Sequence, residues 1–269
     1  MQKSIPVVIL AGGLGLRMRD YSESLPKALV PIGSMAVIHH VMKIYAHQGF
    51  NRFIICLGYR GELIKEYFSN LHLRAPNVKP FTNVGSSDIL GSKKDDFEIT
   101  FVDTGLNTQT GGRIKKIEEF IDTDDFFATY CDSLADMDLN ALLEHHKNKN
   151  KVATMTVVHP TSPFGMVEVD DGLIKSFKEK PMLPGLINGG FFTFNKKIFD
   201  YLDGDSILEE DPLRKLTAEG QLAAYNHNGF WTCMDTHKDV DRLNKLWETR
   251  FLPNVGVSFQ KVPWKIWDD

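Results

Sequence analysis

Gly12, Gly13 and Gly15 follow directly on the apolar run Val7, Val8, Ile9 and Leu10, and Arg17 stands near the end of the same stretch, VVILAGGLGLRM. Glycine has no Cβ and reaches positive φ, so the backbone N–H groups of such a loop can approach an anion closely. Phosphate is the natural guest. A planar, permanently charged guanidinium at Arg17 suits the oxygens of a polyphosphate. The same glycines would also serve a tight turn with Arg17 solvated. The loop lacks the G-K-[S/T] of a Walker A motif, and Met18 occupies the place of the third glycine of a dinucleotide fingerprint. A second cation, Lys27 in LPKALVPIG, lies a short excursion beyond the loop; without that motif it would read as a surface lysine. Asp132 ends the run FFATYCDS, and ligands of open α/β sheets bind outside the carboxyl ends of strands. A carboxylate there can hold a metal or cap the turn that follows.

These residues need a scaffold, and the hydrophobic pattern describes one. Residues 5–10, RFIICLGY, FEITFVDTG, DFFATYCDS and VATMTVV are short continuous apolar runs, the pattern of strands covered on both faces. Between them lie amphipathic helical stretches: residues 34–49, with Ser34 as N-cap and Gly49 as stop, then GELIKEYFSNL, GGRIKKIEEFID and DLNALLEHHKNKN. Alternation of this kind predicts an α/β fold with a doubly wound, mostly parallel, Rossmann-like sheet. Residues 73–96 break the pattern with a long polar, Pro- and Gly-containing segment, expected to be a lid or mobile insertion. Residues 1–158 are expected to form the α/β core. Residues 159–269 are expected to form a small C-terminal β-hairpin and helical subdomain packed on it. There, GMVEVDDGLIKSFKEKP reads as a hairpin turning at Asp171 and Gly172.

Composition excludes several classes of partner. The 269 residues carry a net charge of −4, without the basic excess that nucleic-acid binding shows. No stretch is long and apolar enough to span a bilayer, and the start of the chain lacks the pattern of a secretion signal. Cys56, Cys131 and Cys233 are odd in number and widely spaced, which predicts a reduced, cytoplasmic protein. His145 and His146 are adjacent on a polar helix and point in different directions, so they do not form a metal pair.

LAGGLGLRM followed by LPKALVPIG resembles the N-terminal signature of the sugar-1-phosphate nucleotidylyltransferases. The resemblance continues through VDTG, TGGRIKK, FFATYCDSLADMDL, FKEKP, INGGFF, GFWTCMDT and PWKIW, nearly the whole chain, and leans toward the branch that uses CTP and glucose 1-phosphate. It implies CTP and α-D-glucose 1-phosphate as partners, CDP-glucose and pyrophosphate as products, a place in surface-polysaccharide biosynthesis, and a homo-oligomer. Arg17 and Lys27, with Asp132, become the catalytic residues. Leu10, Ala11, Gly12, Gly13, Leu14, Gly15, Thr110, Gly111, Arg113 and Cys131 become the nucleotide site. Glu179, Lys180, Asn188 and Gly189 become the sugar-phosphate site. Asp132 and Asp235 become the ligands of Mg²⁺, which takes one or two carboxylates and completes its octahedron with water and phosphate.

The sequence departs from the family pattern at Leu16, where a Thr or Ser is usual, and at Cys131 and Ser133, where glycines flank the aspartate. Leu16 forfeits a hydroxyl for a phosphate oxygen, and a Cβ at Cys131 crowds the ribose position. Two alternatives therefore stand beside the main reading: a shifted sugar or nucleotide preference, and a paralogue that binds nucleotide without turnover.

Overall fold

A computed structural model describes residues 4–15, 25–73, 82–84, 87–92, 97–248 and 262–267. In chain order its principal elements begin with β1 (Val7–Leu10), a 3₁₀ turn at Lys27–Leu29, β2 (Pro31–Ile32), β3 (Met35–Ala36), α1 (Val37–Ala46), β4 (Arg52–Leu57) and α2 (Gly61–Leu73). Next come β5 (Thr82–Val84), β6 (Ser87–Ser92), β7 (Phe97–Asp103), α3 (Thr110–Lys115), β8 (Asp125–Tyr130), β9 (Ser133–Ala135), α4 (Leu139–Lys149) and β10 (Ala153–Val158). The last group is β11 (Met166–Asp170), β12 (Leu173–Lys178), β13 (Ile187–Asn195), α5 (Asp211–Ala218), β14 (Leu222–Asn226), β15 (Trp231–Cys233) and α6 (His237–Glu248).

A nine-stranded sheet in the order β14-β10-β13-β8-β1-β4-β7-β6-β5 forms the centre. β1 runs parallel to both neighbours, β4 and β8, and only β13 and β6 run against the common direction. The apolar run at β1 has its cause here, because successive side chains point to opposite faces. Val7 and Ile9 enter the cluster built with α1, α2, α4 and α6, whereas Val8 and Leu10 enter the one built with α3 and α5. Both faces are covered, so every position of the strand is apolar.

The sheet crosses residue 158, since β13 and β14 lie in it beside β8 and β10. The described parts of residues 73–96 supply β5 and β6, which extend the sheet beyond β7; residues 74–81, 85–86 and 93–96 lie outside the described residues. The β11–β12 hairpin pairs only with itself among the described strands. Its turn places Asp171 at φ 48° and Gly172 at φ 73°, the doubly left-handed geometry of a tight hairpin.

One expected boundary is corrected. Ser34 does not cap α1: Gly33, at φ 62°, and Ser34 form the turn of the β2–β3 ribbon, and α1 begins after Ala36. Gly49, at φ 90°, does close the helix, with its N–H on the Ala46 carbonyl at 3.0 Å. Trp264 and Trp267 are buried against α1 around His40. Among the described residues no helix is long and apolar enough to cross a membrane.

Candidate active site

The carboxyl ends of β1, β7 and β8 open onto one cavity of about 490 Å³. Its lining includes the glycine loop (Leu10, Ala11, Gly13, Leu14, Gly15), the segment after β7 from Leu106 to Thr110, and Tyr130, Cys131 and Asp132 at the end of β8. Lys27, Arg113 and Asp235 complete the charged part.

The three glycines do different things. At Gly12 a Cβ would stand 2.1 Å from Arg113 Nη1, so this glycine makes room for a side chain. At Gly13 a Cβ would meet nothing within 4 Å among the described residues, which leaves the backbone open to an approaching ligand. Gly15 adopts φ 61°, a left-handed turn position. Arg17 and Leu16 lie outside the described residues.

Arg113 is buried, and its guanidinium is spent on the protein itself. Nη1 donates to Leu57 O at 2.9 Å, Thr104 Oγ1 at 2.6 Å and Gly105 O at 2.9 Å; Nη2 donates to Gly12 O at 2.9 Å and Leu106 O at 3.3 Å. This one fork ties the glycine loop to the ends of β4 and β7. Arg113 therefore borders the cavity as a clamp on its walls. Gly111 faces away from the cavity, its Cβ position lying 2.8 Å from Ser206.

Asp132 follows β8, and the short antiparallel pair β9–β15 brings a distant segment beside it, with Cys233 opposite Ser133 and Met234 N donating to Asp132 O at 3.0 Å. That pairing carries Asp235 to Asp132. Lys27 Nζ then lies 2.6 Å from Asp132 Oδ2 and 2.5 Å from Asp235 Oδ1. Burial opposes its charge, but the Asp132 carboxylate and the hydrogen bonds to both aspartates outweigh it and hold the ammonium above its ordinary lysine value. Asp132 and Asp235 are joined by Cys233, the three ligand atoms all within 4.8 Å of one another. Burial, followed by the charges of Asp132 and Asp235, pushes the Cys233 thiol up to about 12. A cation already bridges the two carboxylates, so the donor set fits a divalent metal. Asp138 caps α4 at Ala141 N, 2.8 Å away, as its position before a helix suggests.

Sequence reasoning missed Tyr130. Its hydroxyl donates to Glu209 Oε1, Thr110 Oγ1 holds the other carboxylate oxygen at 2.6 Å, and Asn188 Nδ2 lies 3.5 Å from the Tyr130 oxygen. Asn188 is thereby brought to the cavity's edge, while the Gly189 carbonyl accepts from Trp231 Nε1 at 2.7 Å. The rule that placed Asp132, strand ends next to ligands, also covers Tyr130 and residues 106–110; nothing in the pattern marks Glu209. Glu179 and Lys180 are not brought to the cavity. They stand at the end of the exposed β11–β12 hairpin, 3.8 Å from each other and more than half exposed.

The pattern of the Nucleotidyl transferase family matches residues 6–250. The chain belongs to this family. This chain's cavity lies at strand ends and is lined by Lys27, Arg113, Asp132 and Asp235. The chain is 42% identical to a probable glucose-1-phosphate cytidylyltransferase of Bacillus subtilis (strain 168), over 97% of this chain and 99% of the relative. It is 39% identical to a glucose-1-phosphate cytidylyltransferase of Salmonella typhi, again over 97% and 99%. The fold matches the crystal structure of HddC from Yersinia pseudotuberculosis with a TM-score of 0.67 at 23% identity, covering 90% of this chain and 99% of that one.

Proposed function

We propose that this nucleotidyl transferase joins CTP to α-D-glucose 1-phosphate, giving CDP-glucose and pyrophosphate for surface-polysaccharide precursors. The observation that carries the reading is the Lys27–Asp132–Asp235 group at the mouth of the strand-end cavity, joined to similarity along almost the full length of cytidylyltransferase relatives.

In-line attack of a sugar-phosphate oxygen on the α-phosphorus expels pyrophosphate, and such a step needs charge neutralisation and alignment more than covalent help. The glycine loop offers backbone N–H groups around Gly13 and Gly15 to the triphosphate, and Arg17 adds charge. Residues 106–110 and Cys131 border the nucleoside. Asp132 and Asp235 would hold Mg²⁺, which when bound neutralises triphosphate oxygens. Lys27 keeps the two carboxylates together before substrates arrive, and its ammonium then faces the transferring phosphoryl group. Asn188 and Gly189 border the sugar side, and Glu179 and Lys180, exposed on the hairpin, would join it only by a movement of the hairpin toward the bound sugar phosphate. Residues 1–158 thus serve mainly the nucleotide and residues 159–269 mainly the sugar phosphate, with Asp235 crossing over to the metal.

The chain is further proposed to be a cytoplasmic homo-oligomer. Its three cysteines are free thiols, and the β11–β12 hairpin with its flanks exposes Phe164, Val169, Ile174, Phe177 and Met182. A two-stranded hairpin is marginal alone in water, and a contiguous apolar patch calls for a partner surface.

Pyrophosphate release measured with CTP, UTP, dTTP, ATP and GTP, each against several sugar 1-phosphates, tests the substrate assignment. CTP with glucose 1-phosphate is expected to lead. Preference for another pair replaces the substrates and keeps the reaction; no release with any pair leaves only nucleotide binding.

A further inference from the structure

Cys233 is the group in the charged cluster that nucleotidyl transfer leaves unused. Cys233 ends β15 opposite Ser133, the residue after Asp132, and Asp235 follows two residues later. The sulfur and the carboxylate oxygens of Asp132 and Asp235 lie within 4.8 Å of one another. The Lys27 ammonium, 2.6 and 2.5 Å from the two carboxylates, shows that a cation is held there.

Mg²⁺ takes oxygen ligands in a strict octahedron and has no use for the sulfur, whereas Zn²⁺ and Co²⁺ accept thiolate together with carboxylate. Zinc bonds of about 2.3 Å to sulfur and ~2.1 Å to oxygen put tetrahedral ligand atoms roughly 3.5 Å apart, so a closing movement of about 1 Å, within reach of side-chain rotation, completes the set. We propose that Asp132, Cys233 and Asp235 form a three-ligand site for a thiophilic divalent cation of the Zn²⁺ and Co²⁺ class, with its fourth position open. On binding, the metal–sulfur bond forms as the thiol proton passes to solvent, and the cation replaces Lys27 between the carboxylates. Such an ion competes with Mg²⁺ for the same two aspartates, so trace thiophilic metal acts as an inhibitor that a chelator reverses.

The inference rests on the carboxylate pair assigned above to Mg²⁺, and its test is read without turnover. The full chain, free of substrates, is titrated with Co²⁺ and followed by absorbance. The expected result is a near-ultraviolet thiolate-to-cobalt charge-transfer band that saturates at one equivalent and is abolished by Zn²⁺. Cys233→Ser should lose the band with its circular dichroism unchanged, and Cys131→Ser should keep it. No band in the unmodified chain, a band surviving in Cys233→Ser, or a band lost in Cys131→Ser overturns the proposal. A band in a protein without transferase activity upholds this site while the substrate reading fails; an active, Mg²⁺-dependent enzyme without a band sinks this site alone.

Discussion

Gly12 is a glycine because of Arg113: a Cβ at residue 12 would lie 2.1 Å from the Arg113 Nη1 that bridges Leu57, Thr104 and Gly105, while Nη2 holds the Gly12 carbonyl at 2.9 Å. The loop that faces the cavity is therefore shaped from behind by a buried guanidinium. Arg113→Ala removes the buried guanidinium and the hydrogen bonds by which it joins Gly12, Leu57 and Thr104, each worth about 0.5–1.5 kcal/mol net, and leaves its space empty. It should lower stability by at least ~2 kcal/mol, read as a reduced urea midpoint at unchanged slope. Catalytic loss with an unmoved midpoint would instead make Arg113 a direct phosphate contact.

Asp132→Asn, Asp235→Asn and Lys27→Ala each remove charge from the group that faces the transferring phosphoryl. Losses in kcat of ~10²-fold or more are expected, with circular dichroism intact. Near-normal kcat in any one of them assigns that residue a structural role.

His40 predicts an acid limit to stability. Its Nδ1 accepts from Trp264 Nε1 at 3.3 Å, so Nε2 carries the proton donated to Ile32 O at 2.9 Å, and the ring sits neutral among Trp247, Trp264 and Trp267. Burial, aided by His39 and Lys43, pushes it down to about 4. A depressed folded value means the unfolded chain takes up the proton first. Stability is therefore full above about pH 6.5 and falls as pH drops toward 4, by roughly 3 kcal/mol from this group. Urea midpoints measured across that range should show the slope for the unmodified chain and a shallower one for His40→Gln. Equal slopes would remove His40 from the account.

The hairpin's apolar residues predict association. Ile174→Glu with Phe177→Glu should shift the chain to a smaller species in sedimentation velocity while the far-ultraviolet circular dichroism stays the same. An unmodified chain that sediments as a monomer would contradict the oligomer.

The strands of the central sheet were legible because burial on both faces demands unbroken apolar runs, and β1, β4 and β8 carry them. Gly33 and Ser34 misled because a helix cap and a hairpin turn favour the same small polar residues. The meeting of Lys27, Asp132 and Asp235 could not be read from spacing, since the β9–β15 pairing that joins them is three residues long and far apart in sequence; only the family resemblance pointed to it. Lys180 carried the opposite ambiguity, because a charged hairpin end reads alike whether solvated or bound for a phosphate.

The central claim is that this cavity transfers a nucleotidyl group, and following the α-phosphorus tests it most directly. CTP labelled at that phosphorus is incubated with glucose 1-phosphate and Mg²⁺. The account predicts that the label moves into a sugar nucleotide while unlabelled pyrophosphate is released, and that Asp132→Asn slows the transfer by about 10²-fold or more. Label that stays in CTP, or that emerges as free CMP, would contradict it.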